Sequence, residues 1–308
     1  MPLPPDVRRL VDRLDAEPPF TELGPERARA AYAARIRDLI GEPDPAAPGL
    51  DREDTVLDGV PVRVYRPSGG SGPAPGVVFF HGGGWVIGDL DTHDAHARAI
   101  AAGLGAVVVA AGYRLAPEHP YPAALEDCWT VTRRVAGDPA AFGIDAGRLG
   151  VAGDSAGGNL AAAVALAARD ADVRLRAQLL VYPVTDPTMS CASYAEFAEG
   201  HYLTADAMRW FIDAYLPDPA TRTLPGAGPL HAADLAGLAP ALVVTAEYDP
   251  LRDEGAGYAR RLREAGVAVR EIAVPATVHG FLEFVEAIPE ARGTRDEIVR
   301  SFGRLLGV

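Results

Sequence analysis

RLGVAGDSAGGNLAAAVALAARD, residues 148–170, opens as a short apolar run and continues, from Ala156, as a stretch of alanine, leucine and valine. The first part reads as a strand and the second as a helix, with Gly153-Asp154-Ser155-Ala156-Gly157 at the junction. This is G-x-S-x-G, a pattern that lifts a serine above the edge of a sheet on a tight strand-to-helix turn. The small residues on either side let strand and helix approach closely. Negative charge developing on the serine oxygen is favoured at the helix N-terminus. The context therefore points to Ser155 as a nucleophile, with an ordinary helix-capping serine as the rival reading.

Outward from this junction, the apolar runs at 76–80, 106–113, 148–153, 176–183, 240–246 and 267–274 are separated by helix-compatible lengths. Near-continuous apolarity, not alternation, is what strands covered on both faces require. The expected architecture is therefore α/β, a mostly parallel sheet with helices on both sides. Crossover helices are expected at 92–102, 121–136, 156–169, 204–215 and 253–265, and a last one at 294–306. Upstream, two short strands should flank the Asp58-Gly59 turn. Two helices are expected within residues 6–40, the second starting at Pro25 and stopping at Gly41. We read residues 1–45 as a helical cap region and 46–308 as the catalytic domain. The long interval 184–239 is an insert contributing to the cap.

The second informative stretch is FFHGGGWVIGDLDTHD, residues 79–94. Gly82 to Gly84 let successive backbone N–H groups face one concavity, and no side chain obstructs an incoming acyl group. Gly83 and Gly84, with the amide of Ala156, are the expected donors to a tetrahedral oxyanion. His81 is assigned to bracing this loop. The general base is expected at His279, in PATVHGF, on the loop after the last strand run. Its acidic partner is expected at Asp249, just beyond the preceding strand, with Glu247, Asp253 and Glu254 as competitors. The chain order Ser155, Asp249, His279 is nucleophile, acid, base. Trp85 and Tyr202 are the candidate pocket-lining residues.

With these motifs in place, the sequence resembles the bacterial hormone-sensitive-lipase-like carboxylesterases of the α/β-hydrolase fold. The resemblance rests on HGGGWVIGDLDTHD (81–94), GYRLAPEHPYPAALEDC (112–128), GDSAGGNLAAA (153–163), TAEYDPLRDEG (245–255) and HGF (279–281). It implies an eight-stranded, mostly parallel sheet with a helical cap. It also implies a Ser155, Asp249, His279 triad with oxyanion donors at Gly83, Gly84 and Ala156. One departure stands out: Ala276 occupies a position where the family often has glycine.

The expected reaction is hydrolysis of short to medium-chain acyl esters through an acyl-enzyme, with no metal, nucleotide or flavin. Amide or specialised acetyl-group hydrolysis by the same machinery is the nearest alternative, and a ligand-binding protein on the same scaffold is a further one. All 29 basic residues are arginine, which excludes a Schiff-base lysine and a phosphate loop that depends on lysine. A net charge of −13 argues against nucleic acid and anionic membrane as partners. The expected partner is a small-molecule ester, for a monomer or homodimer. Cys128 and Cys191 are read as free thiols and the protein as cytoplasmic, no secretion-signal-like stretch or spanning run being evident. His93 and His96, near Asp89, Asp91 and Asp94, mimic a metal cluster but are better explained by helix capping.

Overall fold

The runs of continuous apolarity pair into one sheet. The computed structural model describes residues 3–40, 49–69, 72–285 and 287–308. The strands are β1 (Leu50–Leu57), β2 (Val60–Pro67), β3 (Ala74–Phe80), β4 (Val107–Ala111), β5 (Ile144–Asp154), β6 (Ala177–Val181), β7 (Ala241–Tyr248) and β8 (Val269–Val278). Their order across the sheet is β1-β2-β4-β3-β5-β6-β7-β8. The pairs β1–β2 and β2–β4 are antiparallel, and all pairs from β4 to β8 are parallel.

Alternation along each buried strand feeds two cores. Val78 and Phe80 of β3 face one side, while Val77 and Phe79 face the other. The first face is covered by α5 (Ala123–Gly137), α6 (Ala156–Asp170) and α9 (Arg252–Glu264); the second by α4 (Asp94–Leu104) and α10 (Pro289–Leu306). Parallel strands need such coverage because both faces are apolar.

The N-terminal segment forms α1 (Pro5–Asp15), α2 (Phe20–Leu23) and α3 (Pro25–Ile40). Helix α1 buries Val7, Leu10, Val11 and Leu14, the i, i+3, i+4, i+7 stripe of a helix with one apolar face. On α3, Ala28, Tyr32 and Ile36 enter the core. The same helix is tied to the glycine loop by Arg29, which donates to the Val86 and Ala116 carbonyls (2.8 and 2.9 Å) and to the Glu118 carboxylate. The expected stop at Gly41, and the boundary near residue 45, lie outside the described residues. The 184–239 interval contains α7 (Ser193–Glu196) and α8 (Ala205–Tyr215). Thr204 caps α8 by accepting from the Ala207 amide at 3.0 Å. Burial of Met208, Phe211, Ile212 and Tyr215, each worth about 1.5–3 kcal/mol, holds a helix that would be marginal alone.

The last strand departs from expectation. It begins at Val269 and runs on to Val278, so His279 follows the strand directly instead of sitting on a loop after residue 274. β8 is an edge strand, where Pro275 is tolerated because its missing N–H breaks no interior ladder. The register against β7 shifts between Ala246 and Tyr248. Opposite that shift, Ala276 has φ of +58° and donates its N–H to the Glu247 carboxylate at 2.7 Å. The atypical alanine thus keeps the left-handed backbone that glycine adopts freely, at a cost of roughly 1–2 kcal/mol. Among the described residues, no helix is long and apolar enough to cross a membrane.

Candidate active site

Ser155 has φ of +55° at the tip of β5, where the strand turns directly into α6. Its amide donates to the Val181 carbonyl at 2.8 Å and its carbonyl accepts from Asn159 at 3.0 Å, so strand and helix both hold the turn. A side chain at Gly153 would collide with the Gly157 backbone, and one at Gly157 with the Phe80 carbonyl. Those two glycines are therefore a steric condition for placing the serine.

The parallel strands deliver the ends of β5, β7 and β8 to one edge. There, His279 Nε2 lies 2.9 Å from Ser155 Oγ, and Nδ1 lies 2.8 Å from Asp249 Oδ2. With Nδ1–H donating to the carboxylate, Nε2 accepts from the serine hydroxyl. Asp249 is fully buried, and its other oxygen accepts from the Leu251 amide at 2.8 Å. Burial by itself lowers the pKa of His279, but Asp249, with Glu283 and Asp154 further away, holds it above the ordinary 6.5.

The competing carboxylates are engaged elsewhere. Glu247 accepts from Ala276, Asp253 from the Ser193 amide at 3.0 Å, and Glu254 from the Thr185 amide at 2.6 Å. Glu254 is fully buried, and burial pushes its carboxyl well above the usual range.

The glycine loop faces Ser155. The Gly82 N–H is committed to His93 Nε2 (3.1 Å) and Asp154 Oδ1 (3.2 Å), which leaves Gly83 and Gly84, both lining the cavity, as the loop's free candidates for the oxyanion. Both have positive φ, and a side chain at Gly83 would strike the Ile87 carbonyl while one at Gly84 would strike the Phe211 ring. Ala156 is the first residue of α6. His81 stacks on Tyr113 with centroids 4.1 Å apart, and its Nδ1 meets the Gly82 carbonyl at 2.7 Å. Burial pushes it down to about 4, so it braces the loop as a neutral ring.

His93 is held by Thr92 Oγ1 at 3.0 Å, and Asp94 accepts from the Tyr65 hydroxyl at 2.8 Å. Asp89 accepts from the Asp91 and Thr92 amides, and Asp91 pairs with Arg63 at 2.8 Å. Among the described residues, no group of three or more His, Cys, Asp or Glu side chains converges to hold a metal ion.

A cavity of about 280 Å³ opens over Ser155 and His279, roofed by residues 14–20, α3 and the start of α8. Tyr202 lines it. Trp85 does not, contrary to expectation: its indole is fully buried and stacks on Tyr215, with centroids 4.5 Å apart. The chain leaves the glycine turn with Trp85 at φ of +60°, and the core offers the large ring more apolar contact than the cavity wall. Among the lining residues that reading the sequence missed are Tyr32, Arg35 and Glu283. Tyr32 and Arg35 look like ordinary helix residues, and Glu283 lies one turn past His279 with no motif to mark it.

The sequence matches the α/β hydrolase fold family over residues 77–283. The chain belongs to the hormone-sensitive-lipase-like carboxylesterases of that fold. It is 46% identical over 266 residues to carboxylesterase NlhH of Mycobacterium tuberculosis, covering 84% of this chain and 83% of that protein. It is 38% identical over 279 residues to an ethyl acetate hydrolase of Pseudomonas putida, covering 89% and 88%. A thermostable esterase from P. putida superimposes with a TM-score of 0.92 at 36% identity, covering 99% of this chain and 98% of that one. The enzyme is a serine carboxylic ester hydrolase.

Proposed function

We propose that this carboxylesterase cleaves dissolved esters of short to medium-chain acids, with Ser155 as nucleophile, His279 as general base and acid, and Asp249 as its orienting partner. The observation that carries the assignment is the unbroken Asp249–His279–Ser155 chain, with contacts of 2.8 and 2.9 Å, on the floor of the cavity. His279 takes the serine proton as Oγ attacks the ester carbonyl, and the amides of Gly83, Gly84 and Ala156 receive the oxyanion. The imidazolium then protonates the departing alcohol, and the same ring activates the water that clears the acyl-enzyme. The N-terminal helices and the 184–239 insert act together as the cap.

Volume decides the acyl length. About 280 Å³ lies at the small end of ligand cavities, which run from about 300 to 1,000 Å³. Each enclosed methylene adds about 0.8 kcal/mol until the cavity is full, after which a longer tail displaces packed side chains at about 1–3 kcal/mol. A 4-nitrophenyl ester series should therefore peak at acyl chains of about four to eight carbons. Acetyl should fall modestly below the peak and sixteen-carbon acyl strongly below it, with no jump in rate above the solubility limit. A maximum at twelve or more carbons with interfacial activation would make the protein a lipase.

The pH dependence follows from the sign of the His279 shift. The base must be neutral, and its pKa is raised, so activity rises through a midpoint above 6.5 and levels off in alkaline buffer. A kcat/KM profile with its acidic limb below 6.5 would contradict the pairing with Asp249. The cysteines Cys128 and Cys191 are free, which suits a reducing, cytoplasmic setting. We read the enzyme as a monomer or homodimer acting on a small molecule, and its net charge of −13 favours neither nucleic acid nor anionic membrane.

A further inference from the structure

The two sides of the cavity differ in chemistry. Beside the glycine loop the wall is hydrocarbon: Phe211 packs on Gly84, with Met208 and Ile87 nearby. Beside His279 it is polar. The position a Cβ would take at Gly280, the residue after His279, lies 3.1 Å from the Tyr202 ring and 3.5 Å from Glu283 Oε1, and both side chains line the cavity with His279. The Tyr32 hydroxyl donates to Glu283 Oε1 at 3.0 Å, and the Tyr202 hydroxyl donates to Oε2 at 3.2 Å.

This wall is rich in acceptors. Burial raises the Glu283 pKa; in its ionised form the carboxylate offers about four lone-pair sites, of which the tyrosines use two. Both tyrosine protons are spent on Glu283, so toward the cavity the hydroxyls have only lone pairs left. The neighbouring cation, Arg35, directs Nε and Nη2 to Glu17 (3.0 and 2.7 Å), lies over the Phe20 ring and also hydrogen-bonds the Tyr202 hydroxyl. A group that bonds the Glu283 carboxylate itself therefore donates a hydrogen bond.

The proposed function fixes which half of the ester meets which wall. His279 protonates the leaving oxygen, so the alcohol lies on the histidine side, and the acyl chain lies toward the glycine loop and Phe211. We propose that Glu283 is a specificity-determining residue, and that the preferred substrates are monoesters of diols or polyols, whose free hydroxyl donates to the Glu283 carboxylate while a plain hydrocarbon acyl chain fills the opposite side. This rests on the assignment of Ser155 and His279 above.

The test compares three butyrate esters matched in the size of the alcohol: 3-hydroxypropyl, which offers a donor, 2-methoxyethyl, which only accepts, and butyl, which does neither. Each is assayed on the alkaline plateau beside 4-nitrophenyl butyrate. The hydroxyl ester should exceed both others in kcat/KM by about tenfold. In Glu283→Gln, whose amide donates as well as accepts, the hydroxyl-to-methoxy ratio should fall toward one. Glu283→Asp withdraws the carboxylate by one methylene and should lower the same ratio, which keeps the test open if the glutamine variant fails to fold. A hydroxyl-to-methoxy ratio of one or below in the unmodified enzyme overturns the proposal, as does a ratio unchanged in a folded Glu283 variant. Failure of the unmodified enzyme on 4-nitrophenyl butyrate as well would instead overturn the esterase reading beneath it.

Discussion

Ser155→Ala should lower kcat by about 10⁵- to 10⁶-fold on 4-nitrophenyl butyrate while the thermal unfolding midpoint stays close to that of the parent. The loss is large because removing the nucleophile abolishes the acyl-enzyme route, leaving only the oxyanion donors and substrate binding. The fold should survive because the elbow is held by backbone bonds to Val181 and Asn159 and by the close packing of Gly153 on Gly157. Oγ is hydrogen-bonded to His279 and to no other side chain among the described residues. Circular dichroism melting beside single-turnover kinetics separates the two effects. Activity within tenfold of the parent would remove Ser155 from the mechanism.

Asp249→Asn should lower kcat by about 10⁴-fold at the alkaline plateau. The asparagine is nearly isosteric, so the His279 ring keeps its place, but an amide neither fixes the Nδ1–H tautomer nor stabilises the imidazolium that forms during attack. Asp253→Asn is the informative partner. Asp253 accepts from the Ser193 amide and pairs with Arg252 at 2.8 Å, so its loss should loosen the α7–α9 contact and shift the melting midpoint with little change in kcat. A larger fall in kcat for Asp253→Asn than for Asp249→Asn would move the orienting acid.

What could be read from the sequence divides along a physical line. Ser155, Asp249 and His279 stand out because each sits at a strand end, and a parallel sheet brings strand ends to one edge whatever the side chains between them do. The glycine loop is legible for the same reason: three consecutive glycines after a strand need a backbone explanation. The positions of the central strands follow from the apolar runs, although β8 runs four residues further than its apolar run, because an edge strand is free to bulge at Ala276.

The cavity wall was much less legible. Tyr32 and Glu283 hydrogen-bond across a separation of 251 residues, and neither carries a local pattern that announces the other. Trp85 shows the converse. Its place after the glycine loop suggests a pocket, but the direction of its ring is set by Tyr215 on a distant helix. Local sequence reports the backbone that carries the chemistry, while pocket shape depends on which side chains from remote elements meet.

The claim at the centre of this account is that ester cleavage passes through a covalent bond to Ser155. The direct test is to treat the enzyme with a 4-nitrophenyl alkylphosphonate, follow release of 4-nitrophenolate, and locate the adduct by intact-mass and peptide-level mass spectrometry. The account predicts one phosphonyl group per chain, on Ser155, released nitrophenolate in equal amount, and ester turnover lost in parallel. An adduct on another residue, or full turnover with no adduct at Ser155, would contradict it.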